Sequence, residues 1–283
     1  MNVSTALRLG RVSNLPTVWT NALAGFALAT PTLGFSMVLG AIFGFSALYT
    51  AGMFLNDAFD VAHDRAHRPG RPIPSGDVEE AIVFRWGFAL LAAGFAILAI
   101  SARGKSSAVV AAAALAATIV FYDARHKDNA FGPALMGLCR ALVYLTAGFS
   151  VGAPLSATLP AAGSTFCYLI GLTYLAKQED RSGGFASWPL AMLAVPFLYA
   201  VGNRGGGLIE LAAAVALLLV ILQALRRLKS STPAIGPAVG LLIAGISLVD
   251  AIFLASAGQP WLAFVAALCF LATLRLQHWV SGT

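Results

Sequence analysis

The chain has 283 residues, of which 59% are hydrophobic and only 11% are charged, and its formal net charge is +6. Soluble domains carry roughly 25% charged residues, so this composition excludes an ordinary soluble protein and indicates an integral membrane protein. No stretch is polar enough to form a soluble or nucleic-acid-binding domain, and we therefore interpret residues 1–283 as one membrane domain.

Ten apolar segments predict an all-α, polytopic membrane helical bundle, because a spanning helix needs about 20 apolar residues. The seventh segment is the weakest, since it is short and contains Pro189 and Pro196. The prediction is therefore nine to ten transmembrane helices. In chain order the segments are 16–33, 35–55, 80–102, 106–122, 130–151, 157–175, 186–201, 207–225, 234–257 and 261–279.

The distribution of basic residues predicts the orientation of the bundle. Cytoplasmic loops of membrane proteins are enriched in Lys and Arg. If the N-terminus is cytoplasmic and ten helices span, 14 of the 18 basic residues fall on the cytoplasmic side. Most acidic residues fall on the same side, although acids contribute little to orientation. We expect the N-terminus and the loops with the charged motifs to be cytoplasmic, and we expect a site there.

Three aspartates follow the second predicted helix. Asp57, Asp60 and Asp64 are spaced three and four residues apart, so they share one face if the helix continues through them. Like charges at this spacing repel each other. Mg²⁺ would relieve that repulsion, because it binds carboxylate oxygens and keeps positions open for phosphate. The trio therefore predicts a metal site for a diphosphate, whereas the plainer alternative is a solvated acidic loop.

A rigid basic segment comes directly after the aspartates. It reads Arg68-Pro-Gly-Arg71-Pro-Ile-Pro-Ser-Gly76. Its three prolines and two glycines disfavour a helix and restrict the backbone. Arginine forks match phosphate oxygens, so Arg68 and Arg71 are candidate diphosphate-binding residues. The alternative is a rigid turn whose charges serve only membrane topology.

Two further charged segments follow the fourth and sixth predicted helices, on the same side as the aspartates. The first contains Tyr122 and Lys127, which would supply an aromatic ring and a cation at the membrane surface. The second contains Glu179 and Asp180, which point about 100° apart if they are helical, so they cannot share a face as the first trio does. We interpret both segments as candidate parts of the site, and charged connectors are the alternative.

Two ionisable residues, Arg140 and Asp250, fall at bilayer depth. Such residues are functional candidates by default, and they normally face a cavity or a partner. We expect Arg140 to face a cavity, where it could bind substrate. We expect Asp250 to make a structural polar contact. The spacing in the sequence does not decide whether the two residues pair with each other.

The aspartate and arginine segments together resemble the signature of the UbiA superfamily of intramembrane prenyltransferases. Asn56-Asp57-Ala-Phe-Asp60-Val-Ala-His-Asp64 is similar to the family's N-D-x-x-D-x-x-x-D motif, and Arg68 to Gly76 is similar to its R-P-x-R-P-[IL]-P-S-G run. The segment 132–140 also resembles the family's fifth helix. The run 8–21 resembles UbiA-like proteins of the EboC type.

This resemblance implies an Mg²⁺-dependent transfer of an isoprenoid chain from a prenyl diphosphate to an aromatic or other lipophilic acceptor in the membrane. It implies that Asn56 and the three aspartates bind Mg²⁺ and diphosphate, with Arg68 as a weaker phosphate ligand. Tyr122 and Lys127 match the family's Y-x-x-x-K-R pattern in part, with His126 where lysine is usual.

The chain departs from the family after the sixth helix. The family usually has two aspartates four residues apart there, whereas this chain has Lys177-Gln-Glu179-Asp180-Arg181. This departure motivates a second hypothesis, a catalytically degenerate protein that binds or transports a prenylated metabolite. A third hypothesis is a secondary transporter. Such a protein would have broken helices near the midplane of the membrane, whereas the charged clusters here lie at one membrane face.

Overall fold

The computed structural model describes residues 1–28, 34–125, 129, 131–177, 187–203, 205–230 and 234–282. Within these residues the protein is all-helical, as the composition predicts, with twelve α-helices and one short 3₁₀ turn, Val12–Asn14. The α-helices are α1 (Val3–Leu9), α2 (Leu15–Ala27), α3 (Phe35–Phe59), α4 (Val61–His67), α5 (Glu80–Ser101), α6 (Ser106–Arg125), α7 (Gly132–Ser150), α8 (Leu155–Lys177), α9 (Trp188–Asn203), α10 (Gly207–Leu228), α11 (Ile235–Ser256) and α12 (Pro260–Gln277).

Each of the ten predicted segments contains a helix. Among the described residues, eight helices are long and apolar enough to cross a membrane: α3, α5, α6, α7, α8, α10, α11 and α12. The helix of the weakest segment, α9, has 16 residues and contains Pro196. The helix of the first segment, α2, has 13 residues, and its predicted end lies at 29–33, outside the described residues. The multi-pass membrane bundle is therefore confirmed, with α2 and α9 as its short helices.

Short turns join the helices at the end of the bundle away from the aspartates. The turns after α5, α7 and α11 contain Gly104, Gly152 and Gly258, whose φ angles are +82°, +80° and +71°. A left-handed conformation is strained for residues with a Cβ atom and free for glycine, so glycine permits these abrupt reversals. The chain is longer at the opposite end, where α4 and the arginine segment lie between α3 and α5.

Helix α11 lies at the centre of the bundle, with a continuous buried stretch of 12 residues, from 244 to 255. It packs against α2, α8, α10 and α12. Helices α2 and α7 pack against each other and contribute to both large apolar clusters of the core. Lipid-facing helices such as α10 are equally apolar, so hydrophobicity alone does not select the central position. The buried Asp250 of α11 needs polar partners, which only neighbouring helices supply.

Helices α3 and α5 approach closely at two glycines. A Cβ atom on Gly94 would lie 2.8 Å from the backbone oxygen of Gly44 and 2.9 Å from the backbone nitrogen of Leu48. We expect Gly94→Ala to push the helices apart and to destabilise the protein by about 1–3 kcal/mol. Thermal unfolding in detergent measures this loss. Gly163→Ala is the matched control, because a Cβ atom there would meet nothing within 4 Å; equal midpoints for the two variants would contradict the prediction.

Candidate functional site: a buried aspartate–arginine cluster

The three aspartates lie where α3 passes into α4. Asp57 is in the last turn of α3, Asp60 joins the two helices, and Asp64 is in α4. The backbone N–H of Asp60 donates to the carbonyl of Asn56, and that of Asp64 donates to the carbonyl of Asp60, so the helical path almost continues. All three side chains are on one face, as the spacing predicts, and that face is buried: the three residues are 6%, 8% and 1% exposed.

The guanidinium of Arg71 bridges two of the carboxylates. Its Nη1 donates to Asp57 Oδ1 and to Asp64 Oδ2, each at 2.9 Å. A positive charge between two negative carboxylates offsets their repulsion. The spacing of the aspartates predicts a cation in this role. Arg68, in contrast, is exposed, and no side-chain hydrogen bond or ion pair joins it to another described residue. The arginine segment therefore brings Arg71, and not Arg68, to the aspartates.

Buried apolar side chains hold the arginine segment in place. Ile73 and Val78 pack with Phe54 of α3, Val83 of α5 and Leu9 of α1. Prolines restrict the backbone between these anchors. The direction of Arg71 is therefore set by packing on three helices, and it does not depend on the ion pair alone.

Arg11 is a second cation at the aspartates, and no pattern in the sequence predicted it there. Its Nη2 donates to Asp57 Oδ1 at 3.1 Å. Its backbone is left-handed, with φ +41° and ψ +47°, a conformation that costs a residue with a Cβ atom roughly 1 kcal/mol. This left-handed conformation turns the chain from α1 towards α2. Arg11 together with Asp57, Asp60, Asp64 and Arg71 is called the aspartate–arginine cluster below.

The end of α6 meets this cluster. Asp123 is 3% exposed, and its carboxylate is hydrogen-bonded to the side chain of Asn56. Tyr122 is half-buried and close enough to Asp60 and Arg11 to interact with them electrostatically. The structure thus brings Asn56 and Tyr122 to the aspartates, and it adds Asp123. Asp123 follows the apolar Ile119 by four residues, so both lie on one helix face, and this spacing could have signalled its burial.

Lys127, Glu179 and Asp180, the other predicted members of the site, lie outside the described residues. The side chain of Lys177 is not described either. The contribution of the segments after α6 and α8 therefore stays a prediction.

The cluster has the donor chemistry for a hard divalent cation. In the described part of the chain, no three carboxylate, imidazole or thiol groups converge as they would around a metal ion, because the Arg71 guanidinium lies between Asp57 and Asp64. Carboxyl groups nevertheless outnumber the arginines within the aspartate–arginine cluster, and Asp123 adds a fourth carboxyl group close by. Carboxylate oxygens are the ligands that Mg²⁺ prefers. The residues therefore fit such an ion.

Arg140 and Asp250 belong to a separate, deeper network. Arg140 on α7 donates to Asn21 Oδ1 at 2.8 Å and to Thr17 Oγ1 at 3.1 Å, both on α2. Asn21 donates in turn to both oxygens of Asp250, at 2.9 and 2.8 Å. The two charged residues thus do not form a direct ion pair; Asn21 connects them. Asp250 makes the structural polar contact that the sequence predicts.

The sequence matches a model of the UbiA prenyltransferase family over residues 16–246. Two relatives are named digeranylgeranylglyceryl phosphate synthase. The protein from Methanoregula boonei is 32% identical over 186 residues, or 65% of each chain, and that from Methanoculleus marisnigri is 32% identical over 189 residues, or 66% of each. The chain thus spans slightly less than two thirds of the length of either relative.

The fold agrees with this match. A solved structure of a UbiA homologue from Archaeoglobus fulgidus, bound to GPP and Mg²⁺, superposes with a TM-score of 0.54 at 16% identity, and the alignment covers 96% of this chain and 99% of that one. A homologue from Aeropyrum pernix K1 superposes with a TM-score of 0.51 at 17% identity over 95% and 98% of the two chains. The family match includes the aspartate–arginine cluster except Arg11, and this chain belongs to the UbiA prenyltransferase family.

Proposed function

We propose that this protein transfers an isoprenoid chain from a prenyl diphosphate to an aromatic or other lipophilic acceptor within the membrane, and that the reaction depends on Mg²⁺. The observation that carries the proposal is the buried pair of carboxylates, Asp57 and Asp64, which share one guanidinium nitrogen of Arg71. Family membership supports prenyl transfer. The relatives named digeranylgeranylglyceryl phosphate synthase support a prenyl diphosphate donor.

In this proposal the whole chain, 1–283, acts as one domain that spans the membrane several times. The charge distribution supports a cytoplasmic N-terminus and a site at the cytoplasmic face. The diphosphate of the donor would bind at the aspartate–arginine cluster, and its apolar chain would lie between helices in contact with lipid.

The acidic and basic residues of the cluster have different roles in this proposal. Asp57, Asp60 and Asp64 would hold Mg²⁺, with Asn56 as a further oxygen ligand for the metal–diphosphate complex. The ion, when bound, supplies positive charge that stabilises the departing diphosphate. Arg71 and Arg11 would bind diphosphate oxygens in place of carboxylate oxygens, because both kinds of oxygen match the planar guanidinium group. Arg68, Lys127, Glu179 and Asp180 are further candidates for substrate binding or catalysis.

The reaction breaks the bond between the donor's first carbon and its diphosphate oxygen, and the diphosphate keeps the electron pair. The arginines stabilise the negative charge that develops there. The acceptor then forms a bond to that carbon and loses a proton. Burial of the aspartates limits the water that could intercept the carbon. Tyr122, which interacts electrostatically with Asp60, would present its ring near the reacting carbon.

The direct test incubates the purified protein and Mg²⁺ with isotopically labelled prenyl diphosphates and a lipid extract, and identifies any prenylated adduct by mass spectrometry. We expect a labelled adduct together with released diphosphate, and neither product when EDTA replaces Mg²⁺. Binding of the donor without release of diphosphate, across a panel of acceptors, would instead support the binding or transport protein. The altered segment around Glu179 and Asp180 motivates that alternative.

Arg11 provides a test of the second cation. Arg11→Gln removes a charge that contacts Asp57 and leaves the other members of the cluster in place. Because a charge-assisted hydrogen bond contributes roughly 1.5–3 kcal/mol, we expect kcat/KM to fall about 10- to 100-fold. Steady-state release of diphosphate measures the change. Arg8→Gln is the control, since among the described residues the Arg8 side chain forms one exposed ion pair, with Asp77; equal losses in both variants would contradict the role of Arg11.

A further inference from the structure

Helix α4 has two histidines on its exposed side. His63 and His67 are four residues apart, so they lie on one face of the helix. Their imidazole rings stack, with centroids 4.2 Å apart and an angle of 21° between the ring planes. Both histidines are exposed, whereas Asp64 between them is buried in the aspartate–arginine cluster. The histidine pair therefore lies on the outer side of the helix whose inner side contributes to the cluster.

Each of the two rings has one nitrogen directed at an acceptor of the protein. Nδ1 of His67 lies 3.0 Å from the carbonyl oxygen of His63, and because a carbonyl only accepts, this nitrogen carries a proton. Nδ1 of His63 faces Oδ1 of Asp64 at 3.7 Å, and a carboxylate at this distance favours the proton on that nitrogen. A neutral imidazole with its proton on Nδ1 has a free lone pair on Nε2. Both Nε2 atoms are therefore available as ligands.

This arrangement matches the chemistry of transition-metal sites. A histidine that binds a metal almost always donates its other ring N–H to a carboxylate or a backbone carbonyl, which fixes the tautomer and the orientation of the ring. Two histidines four residues apart on one helix face bind Zn²⁺ in other proteins. Imidazole nitrogen suits Zn²⁺, Cu²⁺ and Ni²⁺, whereas Mg²⁺ prefers oxygen ligands. The histidine pair thus differs from the aspartates in the metal that it selects.

We propose that His63 and His67 together bind one divalent transition metal ion, such as Zn²⁺, through their Nε2 atoms, with water at its other coordination positions. The ion lies next to Asp64, one of the residues that would hold Mg²⁺. Two cations beside one carboxylate compete for its negative charge. Occupancy of the histidine pair therefore weakens Mg²⁺ binding at the aspartate–arginine cluster and slows prenyl transfer. This effect on the reaction rests on the proposed function, whereas binding of the ion does not.

The first experiment titrates Zn²⁺ calorimetrically into the purified full-length protein, without a polyhistidine tag, in detergent that contains excess Mg²⁺. The chain has four histidines. His278→Gln is the matched control, because His278 is exposed and has no second histidine three or four residues away. We expect the wild-type protein and this control to bind one ion per chain with equal affinity.

His67→Gln removes one ligand at an exposed position. Loss of an outer partner of a ligating histidine alone lowers metal affinity by about 10- to 100-fold, so we expect loss of the ligand itself to weaken Zn²⁺ binding at least about 10-fold. His63→Gln and the double variant should bind as weakly as His67→Gln, because two ligands of one ion act as a unit. Wild-type affinity in His67→Gln would overturn the proposal, and so would two independent ions, one lost with each histidine.

The second experiment measures kcat/KM for diphosphate release at limiting Mg²⁺, with and without Zn²⁺. Coupling between two binding sites typically changes affinity about 5- to 150-fold, and we expect Zn²⁺ to lower the wild-type value roughly 5-fold. His67→Gln should match the wild-type protein without Zn²⁺ and should not respond to it. An equal decrease in both proteins would place the inhibiting ion at the aspartates and overturn the link to the histidines. If no variant releases diphosphate under any condition, the proposed function fails, and the titration still decides whether the histidines bind the ion.

Discussion

Replacement of Asp57 by asparagine is expected to remove nearly all prenyl transfer while the protein still folds and inserts. The asparagine oxygen can still accept the hydrogen bonds from Arg11 and Arg71, so the packing of the cluster changes little. The negative charge that would bind Mg²⁺ is lost, however. Removal of one group that stabilises transition-state charge typically lowers kcat by 10²–10³-fold, and we expect a loss at the upper end, on the order of 10³-fold.

The measurement is kcat/KM for diphosphate release at several Mg²⁺ concentrations. Part of the lost activity should return at higher Mg²⁺, because weaker binding of the ion is the cause. Asp77→Asn is the matched control: this aspartate is exposed and pairs only with Arg8 on the surface. Activity of Asp57→Asn within a few-fold of the wild-type protein would end the case for a metal–diphosphate complex at this cluster.

Replacement of Asp250 by leucine is expected to give the largest loss of stability in the core. Three side-chain donors, from Thr20, Asn21 and Tyr144, would lose their acceptor inside the bundle. Arg140 would also lose the carboxylate that interacts with it electrostatically through the intervening Asn21. Removal of one partner of a buried charge pair costs about 3–5 kcal/mol in soluble proteins. Individual hydrogen bonds in membrane bundles contribute less, roughly 0.6–1.7 kcal/mol each, so we expect a loss of about 3 kcal/mol.

Thermal or denaturant unfolding in detergent measures this loss. Thr273→Val is the control for a fully buried polar residue, because its hydroxyl donates only to the carbonyl of Cys269 in its own helix. The double variant Asp250→Leu with Arg140→Leu should be more stable than Asp250→Leu alone, since it removes the stranded charge. The stability of Arg140→Leu alone is measured as well. If Arg140→Leu destabilises Asp250→Leu as much as it destabilises the wild-type protein, the two residues act independently.

Local patterns in the sequence were sufficient for the helices and for the first part of the site. Hydrophobic runs predicted ten helical segments, since the length of a spanning helix follows from the thickness of the bilayer. The spacing of Asp57, Asp60 and Asp64 predicted their shared face, because helical geometry relates residues three and four apart. The proline-rich segment predicted two arginines, Arg68 and Arg71, near them, because a short, stiff connection leaves few alternatives.

Contacts between helices distant in the chain decided the rest. Arg11 reaches Asp57 across 46 residues, and Arg140 reaches Asn21 across 119. No periodicity relates such positions, since they meet only when α2 packs against α3, α7 and α11. In the sequence, Arg11 is only one of the basic residues that fall on the predicted cytoplasmic side, and the prolines restrict Arg68 and Arg71 alike. Only packing in three dimensions selects which basic side chain meets a buried acid, because the energy of an ion pair depends on distance and burial and not on position in the sequence.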